Sequence, residues 1–422
     1  MRVAVLTRVC FPYHGFGGSE RHIYHLLKHL KRLGVGLSLY TTPPRSGWRE
    51  ATFPFYREVD VPVQFVKARL LPLGRMRGTV ILDRALNYPR LAGRMGRLVA
   101  REVKAGRVDI VYSQGITGLG YGIRRRLGRL KPPLVHNPQG MEEFKTLNRP
   151  KWLAYAPLRF YARRTARLAN CVVATDDCMV PEVRAYLKTD RIWVLRNGVD
   201  LDEIGRFVMK SEQEALVSQF ELHETDCIGV TVSRLEENKG IHVLLEALSR
   251  LPGSSSEAAS RSVPPSWKWF LVGDGSHASR LHAQCRQLGL DGRVVFLGTV
   301  GDSVLHNLYE LADVFCLPSL YEGSSIATLE AMAHKCALVA SAVGGVPDKI
   351  VEGVNGFLTE PGSVDSIHRK IETLMLNRDL RRGMAEASTR LILEKFSWEV
   401  VARDAIALFE DLIRRQASGA LR

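Results

Sequence analysis

Two glutamates, Glu322 and Glu330, flank a small-residue loop in the stretch Cys316 to Pro361. A short apolar run, Val314 to Leu317, precedes the loop, is closed by Pro318 and reads as a buried parallel strand. Tyr321-Glu322-Gly323-Ser324-Ser325 follows as a loop. Ile326 to His334 then puts Ile326, Leu329, Ala331, Met332 and Ala333 on the buried stripe of a helix. A second strand, Ala337 to Ser341, runs into Gly344-Gly345-Val346-Pro347. A strand, a small loop and a helix start make an anion site, because the backbone comes close and the first helical N–H groups have no acceptor. The loop itself carries no lysine for a phosphate. Carboxylates accept from hydroxyls, so an anion with hydroxyls on both sides describes a sugar nucleotide. In that reading Gly323, Ser324 and Ser325 bring backbone to a diphosphate, Glu330 accepts from a ribose and Glu322 from the donor sugar. Two glutamates that merely occupy a strand–helix junction account for either residue alone, but less well for the set.

Cations stand at a second strand–helix junction. Cys227 to Val232 reads as a strand, followed by Ser233-Arg234-Leu235-Glu236-Glu237-Asn238-Lys239-Gly240 and a helix from Ile241 to Leu251. Arg234 and Lys239 there can neutralise a diphosphate leaving group, arginine as a fork and lysine as a point charge. Each is equally open to being a surface charge.

The stretch P-S-L-Y-E-G-S-S-I-A-T-L-E-A-M-A resembles the E-x7-E signature of the retaining glycosyltransferases of family four, whose fold is GT-B. Gly344-Gly345-Val346-Pro347-Asp348 and Asn355-Gly356-Phe357-Leu358 stand where that family has G-G-x-P-E and N-G-x-L, with Asp348 replacing the usual glutamate. Ser233 to Gly240 is similar to the family's R-x4-K element, which favours a functional role for Arg234 and Lys239. The resemblance extends from about Val3 to Leu412, apart from Arg49 to Arg107 and Pro252 to Ser266. It implies an α/β chain of two Rossmann-like, doubly wound domains facing a cleft. The expected boundaries are 1–198, with a crossing helix at 397–422, for the acceptor-side domain and 199–396 for the nucleotide-sugar domain.

Further site residues follow from the same resemblance. Arg2 to Thr7 reads as a strand and Ser19 to about Leu33 as a helix; the loop between them brings Gly17 and Gly18 toward the donor diphosphate. Without G-x-G-x-x-G in that loop, a dinucleotide site is weakly supported. Asn197 belongs to the N-G-V-D element of the interdomain linker, so Asp200-Leu201-Asp202 is discounted as a metal motif. Gly273, after the strand Trp269 to Val272, and Val300, after Val294 to Leu297, line the donor and base sites. Where the family carries H-G, this chain has Gln139-Gly140, with His136 three residues earlier. Gln139 can hydrogen-bond a sugar hydroxyl but cannot take a proton; His136 either enters the cleft or is a satisfied strand histidine, the second being favoured.

The 422 residues suit two or three domains, and 45% hydrophobic with 24% charged residues is an ordinary soluble composition. Seven scattered cysteines without C-x-x-C point to a reducing compartment and to no structural metal. The first residues reach Arg8 too soon for a signal-peptide core, and no apolar run spans a bilayer. The net charge of +15 is lopsided: +22 over residues 1–200 and −7 over the rest. Residues 43–108 read as irregular and arginine-rich. Arginines there, at Arg124-Arg125-Arg126 and at Arg159, Arg163, Arg164 and Arg167, alternate with apolar residues. That pattern suits an anionic membrane surface, although solvated helix faces are commoner for any one helix. No nucleic-acid-binding motif is present.

The sequence-level expectation is therefore a metal-independent, retaining glycosyltransferase without cofactor. It would take a UDP- or GDP-linked sugar and pass it to a glycan or lipid-linked acceptor in cell-envelope polysaccharide, lipopolysaccharide or glycolipid synthesis. Its place would be the cytoplasm, peripheral on the inner membrane face. A sugar-nucleotide 2-epimerase of the same fold and a non-catalytic sugar-nucleotide-binding scaffold are the rival readings.

Overall fold

A computed structural model describes residues 1–15, 17–44, 59, 61–67, 80–128, 130–139, 141–146, 149–224, 226–252 and 266–420. The chain forms two compact units, one of residues 1–197 with 398–422 and the other of 198–397.

The first unit is built on a seven-stranded parallel sheet. Its strands are β1 (Arg2–Leu6), β2 (Gly36–Thr41), β3 (Val63–Phe65), β4 (Ile110–Gln114), β5 (Leu134–Asn137), β6 (Cys171–Ala174) and β7 (Ile192–Val194), in the order β3-β2-β1-β4-β5-β6-β7. Strand β1 shows why such a sheet must be covered on both sides. Side chains alternate across a strand, and every residue from Val3 to Leu6 is apolar and buried. Val3 and Val5 join one core with Ile23, Tyr24 and Leu27, while Ala4 and Leu6 join another with Leu91, Met95 and Val99. The last helix, Trp398–Ala417, belongs to the first of these cores through Trp398, Val401, Ala405 and Phe409.

The second unit repeats the plan with six parallel strands: β8 (Cys227–Val232), β9 (Trp267–Val272), β10 (Val294–Gly298), β11 (Val314–Leu317), β12 (Ala337–Ser341) and β13 (Gly356–Thr359). Their order is β10-β9-β8-β11-β12-β13. On β11, Val314 and Cys316 enter one core and Phe315 and Leu317 the other.

One sequence expectation is corrected, and one motif is given its structure. Residues 80–104, within the stretch read as irregular, are one continuous helix, Val80–Lys104, that carries Pro89 inside it. Arginines between Leu91, Met95 and Val99 mask a buried stripe at four-residue spacing. The N-G-F-L element, treated as a motif only, is the start of an edge strand, β13. Asn355 before it clamps the turn: its Oδ1 accepts from Val351 N at 2.7 Å and its Nδ2 donates to the Lys349 carbonyl at 2.9 Å. The mobile loop expected at Pro252 to Ser266 lies, from residue 253 to 265, outside the described residues. Among the described residues no helix is long and apolar enough to cross a membrane.

Candidate functional site

In the second unit the chemistry-bearing residues gather in the loops that follow the carboxyl ends of β8, β9, β11 and β12, where open α/β sheets bind ligands. Backbone contacts lock these loops together. Asn238 O accepts from Leu320 N at 2.9 Å and from Tyr321 N at 3.3 Å, and Gly345 N donates to Gly323 O at 2.6 Å. Two glycines are obligatory for this fit. Gly344 has φ +54° and a Cβ there would lie 2.3 Å from the Glu322 carbonyl oxygen. Gly273 has φ +127° and a Cβ would meet Ser233 O at 1.9 Å. Only a residue without Cβ fits either position.

Within this frame Lys239 Nζ donates to both oxygens of Glu322, at 2.6 and 2.8 Å. Arg234 is exposed; its carbonyl accepts from Glu236 N at 2.9 Å, which holds the backbone while the guanidinium points to no ion-pair partner among the described residues. The hydroxyl of Ser276, helped by Arg234, holds the neighbouring Glu236 carboxyl below its ordinary range. Ser325 is the N-cap of the helix Ile326–Ala333; its Oγ accepts from Thr328 N at 3.2 Å and from the Thr328 hydroxyl at 3.0 Å. The hydroxyl of Ser325 is thus used in capping, and the backbone of the first turn is what an anion would meet. Glu330, half-buried two turns on, accepts from the Tyr309 hydroxyl at 3.3 Å. The Tyr309 ring stacks on His334 at 5.5 Å, and His334 bridges Glu310 at 2.8 Å and His306 at 2.9 Å. Val300 is partly buried and packs against the same core as Tyr309.

Sequence reasoning missed Tyr309 and, more consequentially, a lysine. Lys349 is completely buried, and its Nζ donates to Ser324 Oγ at 3.1 Å and to Gly345 O at 2.8 Å. A lysine does therefore reach the small-residue loop, from the far side of the glycine turn rather than from the loop itself. The signal was Lys349 between Val346 and Ile350, two residues that are both buried.

The other expected site residues lie in the first unit. Gly17 is the extended N-cap of the helix Gly18–Arg32, and a Cβ on it would lie 2.6 Å from Glu20 Oε2. Gly18 is exposed at the helix start. Asn197 is buried with its Oδ1 taken by His22 Nδ1 at 2.7 Å, so its amide serves the packing of that unit. His136 is fully buried on β5 with neither ring nitrogen hydrogen-bonded among the described residues, so it is not the satisfied strand histidine expected, and burial pulls its pKa down to about 4. Such an imidazole stays neutral near pH 7. Gln139 has φ +61° and is held by its backbone N to Asn137 Oδ1 at 3.1 Å. Its side-chain Nε2 is buried without a hydrogen-bond acceptor among the described residues. Gly140 lies outside the described residues.

Comparison with known proteins places the chain in a class. The description Glycosyltransferase Family 4 matches residues 16–203, and Glycosyl transferases group 1 matches residues 212–391. The chain is similar to an uncharacterized glycosyltransferase of Methanocaldococcus jannaschii, 28% identical over 57% of this chain and 59% of that one. It is also similar to the alpha-maltose-1-phosphate synthase of Mycolicibacterium smegmatis, 23% identical over 97% of this chain and 99% of the other. Among solved structures, Anabaena HepE in complex with UDP superposes with a TM-score of 0.72 at 20% identity, covering 97% of this chain and all of that one. The two parallel sheets are those of a two-domain α/β fold of GT-B type. The chain belongs to glycosyltransferase family four.

Proposed function

We propose that the protein transfers a sugar, with retention of anomeric configuration and without metal, from a UDP- or GDP-linked donor to a glycan or lipid-linked acceptor. One observation carries the reading. Lys239, Glu322, Glu330 and the Ser324–Ser325 turn, whose Ser324 hydroxyl accepts from Lys349, lie in the loops at the carboxyl edge of one parallel sheet. Cleavage of the sugar–phosphate bond leaves its electron pair on the diphosphate. Fixed positive groups in a dry site stabilise that charge as it develops. Lys239 supplies one such group and the helix start at Ser325 a second, while the exposed Arg234 adds a cation that becomes fixed only on the diphosphate itself. Glu330 accepts from the ribose and Glu322 from the donor sugar. The acceptor hydroxyl attacks on the face the diphosphate leaves, giving its proton to the departing oxygen. The strongly basic first unit supports an acceptor carried on an anionic membrane surface, as in glycolipid or envelope polysaccharide synthesis at the inner face.

The test is thermal-shift binding of UDP and of GDP, each with and without Mg2+, to wild type and Glu330→Ala. A metal-independent shift by one nucleotide, lost in the variant, supports the donor site and selects the base. A shift by neither removes the transferase reading.

A further inference from the structure

Two helices of the first unit, Arg149–Ala154 and Ala156–Leu168, hold six arginines and lysines between Arg149 and Arg167 and no acidic residue. The second helix buries Leu158, Ala162, Thr165 and Ala166, which leaves Phe160, Arg164 and Arg167 on its open face. Trp152, Leu153 and Phe160 are 46%, 66% and 63% exposed. A single exposed apolar residue is ordinary; three large ones on adjoining helices form a patch that calls for a partner.

Beside the patch lies a cavity of about 560 Å3 whose lining includes Arg159, Arg163, Arg164, Arg167, Trp152 and Phe160 and, among the described residues, no carboxylate. Two of its guanidiniums are built in. Arg159, only 7% exposed, donates to the Trp152 carbonyl at 2.6 Å and the Glu143 carbonyl at 3.1 Å, and lies 4.0 Å over the Trp152 ring. Arg163 donates through Nε to the Tyr186 carbonyl at 2.9 Å and lies 5.3 Å over the Phe144 ring, which stacks on Tyr186 at 5.1 Å. Glu182, the acidic residue of the neighbouring helix Val180–Leu187, is occupied by an ion pair with Lys145. Preorganised guanidiniums on aromatic walls suit a phosphate. A free phosphate leaves the apolar rim unexplained, and a second copy of this chain would bring the same positive charge to the same patch. A bilayer with anionic lipids satisfies both features, since tryptophan and phenylalanine favour its interfacial layer and arginine its headgroups.

We propose that this face docks on an anionic bilayer, with a lipid phosphate in the arginine cavity and Trp152, Leu153 and Phe160 in the interfacial layer. The proposal deepens the membrane-surface part of the proposed function and rests on it.

The test is co-sedimentation of the full chain with vesicles of phosphatidylcholine alone and of phosphatidylcholine with phosphatidylglycerol. The variants are Arg164→Ser/Arg167→Ser, Trp152→Ser/Phe160→Ser and, on the Val80–Lys104 helix, Arg97→Ser. Binding should require the anionic lipid. It should fall roughly 30-fold in the double arginine variant, the effect of two charges near the lipid. It should fall with the apolar pair too and change far less with Arg97→Ser. Thermal shift by UDP or GDP should persist in every variant, which separates failure of the docking face from failure of the donor site. Equal binding to both vesicles, unchanged binding by both double variants, or a concentration-dependent dimer abolished by Trp152→Ser/Phe160→Ser would each overturn the proposal. Protection by inorganic pyrophosphate through Arg164 and Arg167, without vesicle binding, would reassign the cavity to a soluble phosphate.

Discussion

Lys239 and Glu322, 83 residues apart in sequence, form a two-pronged ion pair at 2.6 and 2.8 Å with side chains only 12% and 13% exposed. The pair ties the loop after β8 to the loop after β11, so a ligand that engages either group engages both. Lys239→Met and Glu322→Gln should each lower kcat by about 100- to 1000-fold. The double variant should be little worse than the worse single one, because the two act as a unit. Steady-state kinetics on the four proteins, once a donor is identified by nucleotide binding, measures the coupling. Independent, multiplicative losses would separate the two roles.

Lys349 places an ammonium group beneath the loop expected to meet the diphosphate. Lys349→Met keeps most of the volume and removes the charge. The variant should bind the nucleoside diphosphate about tenfold more weakly, while the free nucleoside binds as before. Calorimetric titration with both ligands reads the difference, and an equal loss for both would mark Lys349 as purely structural.

Tyr309 orients Glu330 through one long hydrogen bond of 3.3 Å. Tyr309→Phe should raise the nucleotide Kd by about fivefold, the worth of one hydrogen bond. The 2′-deoxy nucleotide should show no comparable change if Glu330 accepts from that hydroxyl. Parallel titrations with ribo- and deoxyribonucleotides check both statements.

Burial lowers the pKa of both His136 and His22 to about 4. Their folded values lie below the unfolded value of about 6.5. Across that window the unfolded chain takes up protons that the folded chain refuses. Stability is therefore full above about pH 6.5 and falls as pH drops toward 4, by about 3 kcal/mol for each histidine. Denaturant unfolding at about pH 7.5 and about pH 5 should show about 2 kcal/mol of this loss per histidine, and His136→Leu should remove roughly half of the total. A pH-independent midpoint in the wild type would contradict the burial-driven shift.

The strand runs were legible because parallel strands buried on both faces read as short apolar blocks: Cys227–Val232 and Ala337–Ser341 lie where the sequence put them. The E-x7-E loop was legible because its neighbours are close in sequence. The Val80–Lys104 helix was not, since its exposed and half-buried arginines and Pro89 interrupt the pattern that Leu91, Met95 and Val99 set. Lys349 and Tyr309 escaped for another reason. Their partners, Ser324 and Glu330, lie 25 and 21 residues away, and only the packing of separate loops brings them together. The commitment of Asn197 to His22 spans 175 residues and was equally invisible.

The helix Trp398–Ala417 has a consequence for how the protein is made. Ile23, Tyr24, Leu27 and Leu30 share their core with Trp398, Val401, Leu408 and Phe409. On the ribosome those early side chains emerge long before their cover is translated, and all of residues 198–397 intervene. The second unit can thus complete its interior first, while the unit begun earlier waits with an apolar face bare to water. Such a nascent chain is a natural client for chaperones, and a premature stop near residue 398 completes the second unit but leaves the first without its last helix and with that core uncovered.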